Sequence, residues 1–107
     1  MITNIKVTFF LVTKSDKGSV TTINRIKKLF HEKNIEIYSN HENIFNLKYS
    51  TNSWECHIYE LLKLCESLGT QWIITGEIDY IFDAWSNKSS IVGVDSIGLI
   101  CENPNFY

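Results

Sequence analysis

The segment NSWECHIYELLKLCESLG, residues 52–69, carries the most regular pattern in the chain. Its apolar side chains recur every three or four residues, which places them along one side of an α-helix: Trp54, Ile58, Leu61, Leu62, Cys65 and Leu68. Asn52 and Glu55 have the spacing of a capping box, and Gly69 stands where helices commonly end. We therefore predict an amphipathic helix that buries one side in a core.

The residues before this helix predict a strand, a first helix and a hairpin. Residues 4–13, NIKVTFFLVT, alternate and are rich in β-branched and aromatic side chains, as is typical of a strand. Residues 19–33 are predicted to form a helix because apolar side chains recur there at helical spacing: Val20, Ile23, Ile26, Leu29 and Phe30. The β-type runs 35–39 and 44–50 flank the polar tetrad NHEN, which predicts a hairpin.

Two further strands are predicted after the second helix. Residues 70–82, TQWIITGEIDYIF, alternate over a long run that places Glu77 and Asp79 on one face, with Gly76 marking a bulge or bend. Residues 91–102, IVGVDSIGLICE, predict a fifth strand that pairs back on the fourth.

The predicted order is strand, helix, strand, strand, helix, strand, strand. Its first six elements match the ferredoxin-like βαββαβ order, in which two helices cover one face of an antiparallel sheet. A chain of 107 residues suits one domain with its own core. We therefore predict a single α+β domain, residues 1–107, with the ferredoxin-like order and a fifth C-terminal strand.

The composition favours a cytoplasmic protein. Hydrophobic residues make up 44% of the chain and charged residues 21%, which is too apolar for a disordered protein. The three cysteines show no CxxC spacing or paired framework, which fits a reducing compartment. The N-terminal segment has lysines within and after its apolar run, the wrong order for a secretory signal, and no run is long enough to span a bilayer.

Motifs that mark ligand-binding or catalytic sites in other proteins are incomplete in this chain. KSDKGS, residues 14–19, has one glycine after its second lysine, so it lacks the pattern of a phosphate-binding loop, and we predict a solvated turn with Ser19 as helix cap. Lys14 and Lys17 leave weak anion binding open. None of the three histidines has a partner at the spacing typical of a metal site or a catalytic pair. We therefore predict that His31, His41 and His57 are surface or partly packed histidines.

Acidic residues offer the one hint of a metal or catalytic site. Glu77 and Asp79, two apart on a strand, share a face, but divalent-cation sites usually add backbone carbonyls and a glycine-containing loop. We therefore expect no catalytic residue, no metal and no cofactor.

Charge is divided unevenly along the chain. Residues 1–53 hold eight Lys or Arg against four Asp or Glu, net +4, whereas residues 54–107 hold two against eight, net −6, which sums to −2. In the acidic half, TGEIDYIFDAW (residues 75–85) interleaves acids with aromatic side chains, which supply binding area while the acids steer a basic partner. We predict a partner-binding surface of six residues: Glu77, Asp79, Tyr80, Asp83, Trp85 and Asp95. The partner is expected to be a protein, with no nucleic acid and no membrane.

In overall organisation the chain resembles the bacterial immunity proteins of contact-dependent growth inhibition systems. The resemblance rests on the acidic C-terminal half, the segment WIITGEI (72–78) and the following IVGVDSIGLI (91–100). It implies a non-catalytic cytoplasmic antitoxin that binds and blocks a cognate toxin domain, often a nuclease. The alternative is a ferredoxin-like small-ligand sensor or regulatory subunit that binds at the sheet edge and dimerises through it.

Overall fold

The computed structural model describes residues 1–12 and 15–106. The first half contains β1 (Ile2–Leu11), α1 (Asp16–Glu32), β2 (Glu36–His41), β3 (Ile44–Ser50) and α2 (Trp54–Leu68). The second half contains β4 (Gly69–Thr70), β5 (Ile73–Thr75), β6 (Ile81–Ser86), β7 (Lys88–Ser89), β8 (Val94–Glu102) and a 3₁₀ turn (Pro104–Phe106).

Six of these strands form one sheet in the order β2-β3-β1-β8-β6-β5, and β4 pairs with β7 beside it. Every neighbouring pair is antiparallel. The predicted α+β class with an antiparallel sheet is therefore confirmed. The first strand, β1, lies at the centre, between β3 and β8.

Alternation along β1 separates a covered face of the sheet from an open one. Thr3, Ile5, Val7 and Phe9 are all buried. The Phe9 ring centroid is 6.0 Å from that of Phe30 in α1, and Thr3 Oγ1 is 2.7 Å from a ring nitrogen of a histidine in α2. Since residues two apart on a strand share a face, both helices cover the same side of the sheet.

The second helix begins and ends close to its predicted limits, but its cap differs. Ser53, not Asn52, is the N-cap, and its hydroxyl accepts a hydrogen bond from the Cys56 N–H. Most of the predicted stripe is buried, including Leu61 and Leu68, whereas Leu62 is 38% exposed. Leu61 therefore lies on the buried face of the helix, and Leu62 lies at the edge of that face.

The predicted strand over residues 70–82 is wrong. The segment contains β4, β5 and a turn before β6 begins at Ile81. Gln71 has φ 53° and Gly76 has φ 86°, left-handed conformations that interrupt an extended strand. The N–H groups of Tyr80 and Ile81 both donate to the Glu77 carbonyl, which closes the turn. Gly76 thus marks a bend, as predicted, but Glu77 and Asp79 do not lie on a strand.

The last strand takes a place that the sequence did not predict. β8 pairs with β6, most of which lies beyond the predicted fourth strand, and it also pairs with β1 along most of its length. The hairpin of β2 and β3 is confirmed, with its turn reduced to residues 42 and 43.

The start of the first helix also differs from the prediction. α1 begins at Asp16, and the Ser15 side chain accepts a hydrogen bond from the Gly18 N–H, so the cap is Ser15 and not Ser19. Thr13 and Lys14, which belonged to the predicted strand and loop, lie outside the described residues. None of the described helices is both long and apolar enough to cross a membrane.

Two adjacent leucines of α2 test the packing. Leu61→Ala should lower the free energy of unfolding by about 2–5 kcal/mol, because a 1% exposed side chain leaves a cavity when truncated. Leu62→Ala makes the same chemical change at a partly exposed site and should cost about 1 kcal/mol or less. Urea denaturation of both variants measures the difference, and equal losses would contradict the observed orientation of α2.

Candidate protein-binding surface

Residues 77–80, here called the acidic turn, have a backbone held by three hydrogen bonds from two distant residues. The indole Nε1 of Trp54 donates to the Ile78 carbonyl over 2.8 Å. Asn103 donates through Nδ2 to the Asp79 carbonyl at 2.9 Å and through its backbone N–H to the Tyr80 carbonyl at 2.8 Å. The turn is therefore a preorganised structure.

The side chains of this turn are directed to solvent. All four are exposed, and the apolar Ile78 and Tyr80 are 44% and 48% exposed. The Tyr80 ring packs edge-on against Phe106, with centroids 4.5 Å apart and planes at 78°. A partner would gain aromatic contact area here with little loss of backbone entropy, because the backbone is already ordered.

Two further acids extend the negative charge onto the sheet. Glu102 pairs with Ile81 at the start of β6, and Asp83 follows two residues later, opposite Ile100. Within residues 1–12 and 15–106, neither of these acids nor Glu77 or Asp79 forms an ion pair. Four carboxylates without basic partners thus lie at one end of the sheet, where they favour a positively charged partner.

The structure divides the six predicted binding residues into two groups. Glu77, Asp79 and Tyr80 belong to the acidic turn, and Asp83 adjoins it. Trp85 lies toward the other end of β6, opposite Gly98. Asp95 is the extra residue of a bulge, because Phe10 pairs with Ser96 while Leu11 pairs with Val94. The length of β6 is about 17 Å, so Asp95 and the turn form separate surfaces.

Sequence reasoning missed several residues of these surfaces. Asn103 and Phe106 follow the last strand, and no local pattern links them to a turn more than 20 residues earlier. Phe10 contacts Trp85, with ring centroids 5.4 Å apart. Its signal was present in the sequence, since the alternation that buries Phe9 also turns Phe10 to the opposite face.

The predicted exposure of His57 is wrong. This side chain is fully buried between α2 and the sheet. Its Nε2 shares a 2.7 Å hydrogen bond with the Thr3 hydroxyl and lies 3.5 Å from Cys101 Sγ. Its Nδ1 is 3.7 Å from Glu60 Oε1, beyond hydrogen-bonding distance, and has no other partner among the described residues. Burial lowers the pKa of His57, opposed by the negative charge of Glu60, so the ring is held neutral.

Three neighbouring side chains stand in the order of a nucleophile, a base and an orienting acid: Cys101, His57 and Glu60. Their surroundings do not suit nucleophilic catalysis. Cys101 is fully buried, and burial raises the pKa of its thiol to about 12. A reactive cysteine instead needs an accessible sulfur and a lowered pKa. Cys101 and His57 join β8 to α2 as a buried polar network, and Glu60 lies half-buried beside it.

No described group of three or more His, Cys, Asp or Glu side chains is arranged to hold a metal ion. No protein-family model, curated protein or solved structure matches this chain. The fold and its surface therefore define the protein class by themselves: a small α+β protein with a rigid, exposed, acidic turn.

Thiol accessibility tests the buried network. Of the three cysteines, Cys56 is exposed, while Cys65 and Cys101 are buried with their thiol pKa values raised to about 12 by burial. Ellman's reagent should therefore titrate one thiol in the folded protein and all three in denaturant. Cys56→Ser should leave none reactive in the folded state, and rapid reaction of a second thiol would contradict the packing around Cys101.

The neutral His57 predicts a fall in stability in weak acid. Its folded pKa lies below the ordinary 6.5, so the unfolded chain binds a proton that the folded chain excludes, and the free energy of unfolding falls as pH drops below that value. Burial acts to raise the Glu60 pKa, but hydrogen bonds from Thr51 and Tyr49 hold it below 4.5, so its own loss of stability comes at lower pH.

Urea unfolding at about pH 7.5 and about pH 5.5 measures this loss. Replacing both exposed histidines, His31→Gln and His41→Gln, should leave the loss unchanged. A flat profile in that double variant would show that His57 is protonated in the folded state.

Proposed function

We propose that this protein is a non-catalytic, cytoplasmic immunity protein that binds and neutralises a cognate toxin domain, a basic nuclease. The observation that carries the proposal is the acidic turn, whose backbone is tied by Trp54 and Asn103 while its acidic and aromatic side chains face solvent. Such a surface suits recognition of another protein, because it is ordered before the partner arrives.

Electrostatics supports a basic partner. A nuclease active site is positively charged because it must hold phosphate, so carboxylates placed where phosphates bind gain both affinity and association rate. Glu77, Asp79, Asp83 and Glu102 have no ion-pair partner among the described residues. Binding would therefore not require any of them to give up an internal ion pair.

The sheet order supports a ferredoxin-like core as part of the proposal. β2, β3, β1 and β8 are adjacent in that order, and α1 and α2 connect them along the chain. In this arrangement the β5–β6 hairpin is an insertion that precedes the last strand. This hairpin carries the acidic turn. The insertion is then the part of the chain that serves recognition.

A small-ligand sensor is the second candidate, and one cleft favours it. About 670 Å³ of space lies between α1 and the β2–β3 hairpin, within the range of ligand pockets. Leu11, Val20 and Ile23 contribute apolar surface to the lining, and Asn24, Lys27 and Glu42 add polar groups. The cleft is open to solvent, whereas ligand pockets bury most of the surface of their ligand, so we rank the sensor below the immunity protein.

Charge reversal in the acidic turn tests the immunity function. The partner is the C-terminal domain of a secreted toxin encoded beside this protein, co-expressed in bacteria. Glu77→Lys with Asp79→Lys should abolish protection and slow association by at least about tenfold, with a smaller dependence on salt, because the steering charge is lost. Survival and stopped-flow association rates measure the two effects.

Glu66→Lys with Glu55→Lys is the matched control. Both residues are exposed on α2 and the change in net charge is equal, so protection should remain as in the wild type. Full protection by the turn variant would place the interface elsewhere. Failure of the wild type to bind any neighbouring toxin domain, together with binding of a small molecule that Lys27→Glu abolishes, would favour the sensor.

A further inference from the structure

The face of the sheet opposite the helices, here called the open face, carries large apolar side chains. Phe10, Trp85 and Ile100 are 44%, 41% and 39% exposed. Each has buried or partly buried neighbours on its strand, so all three point away from the core. Contiguous exposed apolar surface of this kind marks a site of association.

The two aromatic rings form one platform across three strands. Phe10 on β1 and Trp85 on β6 meet with centroids 5.4 Å apart and planes at 62°. Gly98 on β8 lies opposite Trp85, whose ring covers the place where a side chain would begin. A Cβ added at Gly98 would lie in ordinary van der Waals contact with the Trp85 ring, so a small residue on the intervening strand leaves room for the rings to meet.

The charges of the open face are arranged symmetrically about β8. Ile100 pairs with Lys6 on one side and with Asp83 on the other. Each charged residue is one strand spacing, about 4.8 Å, from β8. Neither forms an ion pair within the described part of the chain, so a cation and an anion flank the same apolar residue at equal distances.

We propose that the open face is the interface between two copies of this chain. A two-fold axis lying in the interface and parallel to β8 brings Ile100 against Ile100 of the second copy. The same axis places Lys6 opposite Asp83 of the second copy, so the ion pair forms twice. The aromatic platforms of the two copies then pack against each other.

The arrangement of charge is the reason for choosing a second copy as the occupant. A face that carries opposite charges at mirrored positions complements itself, whereas a uniformly basic partner would meet Lys6 and be repelled. Face-to-face packing of two sheets with nearly aligned strands is a common way to bury such surfaces. The acidic turn takes no part in this contact, so variants of Glu77 and Asp79 affect the proposed toxin surface alone, whereas Asp83 and Glu102 belong to both surfaces.

One residue opposes the association of the two copies, and its replacement gives a further test of the proposal. Glu102 shares the open face of β8 with Ile100, so the axis brings it near Glu102 of the second copy. Like charges in that position repel each other. Glu102→Gln should therefore tighten the dimer, although it removes charge from an exposed position.

Sedimentation equilibrium of the full chain tests the proposal, and the wild type should have twice the mass of one chain. Lys6→Glu and Asp83→Lys should each weaken self-association by at least about tenfold, because each places two like charges opposite each other. Mixed together, the two variants should form a heterodimer. The double variant, Lys6→Glu with Asp83→Lys, should again form a homodimer because both charges are exchanged.

Thermal unfolding by circular dichroism confirms that each variant is folded before its mass is measured. The turn variant, Glu77→Lys with Asp79→Lys, should dimerise as the wild type does, which separates this result from the toxin assay. A monomeric wild type at its highest soluble concentration would overturn the proposal and leave the open face to a different partner. So would single variants that stay dimeric, or a mixture that does not associate.

Discussion

The packing of Phe9, Phe30 and Phe45 is the contact on which the rest of the molecule depends. Their ring centroids lie 5.5 to 6.0 Å apart, and they join the central strand, the first helix and the hairpin. All three are fully buried, and aromatic rings contribute more burial per residue than other side chains. Because this cluster lies on one side of β1, the sheet is covered on that side only. The open face with Phe10 follows from the same alternation.

One-sided burial also explains how the surfaces are divided. The helices seal the covered face, where burial lowers the pKa of His57 and raises that of the Cys101 thiol to about 12. Other parts of the chain are supported by the core but lie outside it. The acidic turn is one of these, and Asn103 ties it to the end of the last strand. The turn therefore combines a backbone held by the core with side chains that are exposed.

The regular segments were predictable because local spacing decides them. The stripe of α2 and the alternation of β1 each follow from the geometry of one element, so sequence alone located both. Residues 70–82 had equally good alternation, yet Gln71 and Gly76 take left-handed conformations that break the strand. The glycine at position 76 predicted a bend, but no local sequence feature predicted the left-handed conformation of Gln71.

The candidate surface was predictable in composition and not in shape. By itself the sequence determined the class of fold, the two amphipathic helices and the concentration of acids in the C-terminal half, because these depend on residue type and short-range period. Only the tertiary structure decided which acids lie together, that Asn103 holds the turn, and that Lys6 and Asp83 flank Ile100. Strand neighbours are chosen by burial and backbone pairing between distant segments, and no local pattern encodes that choice.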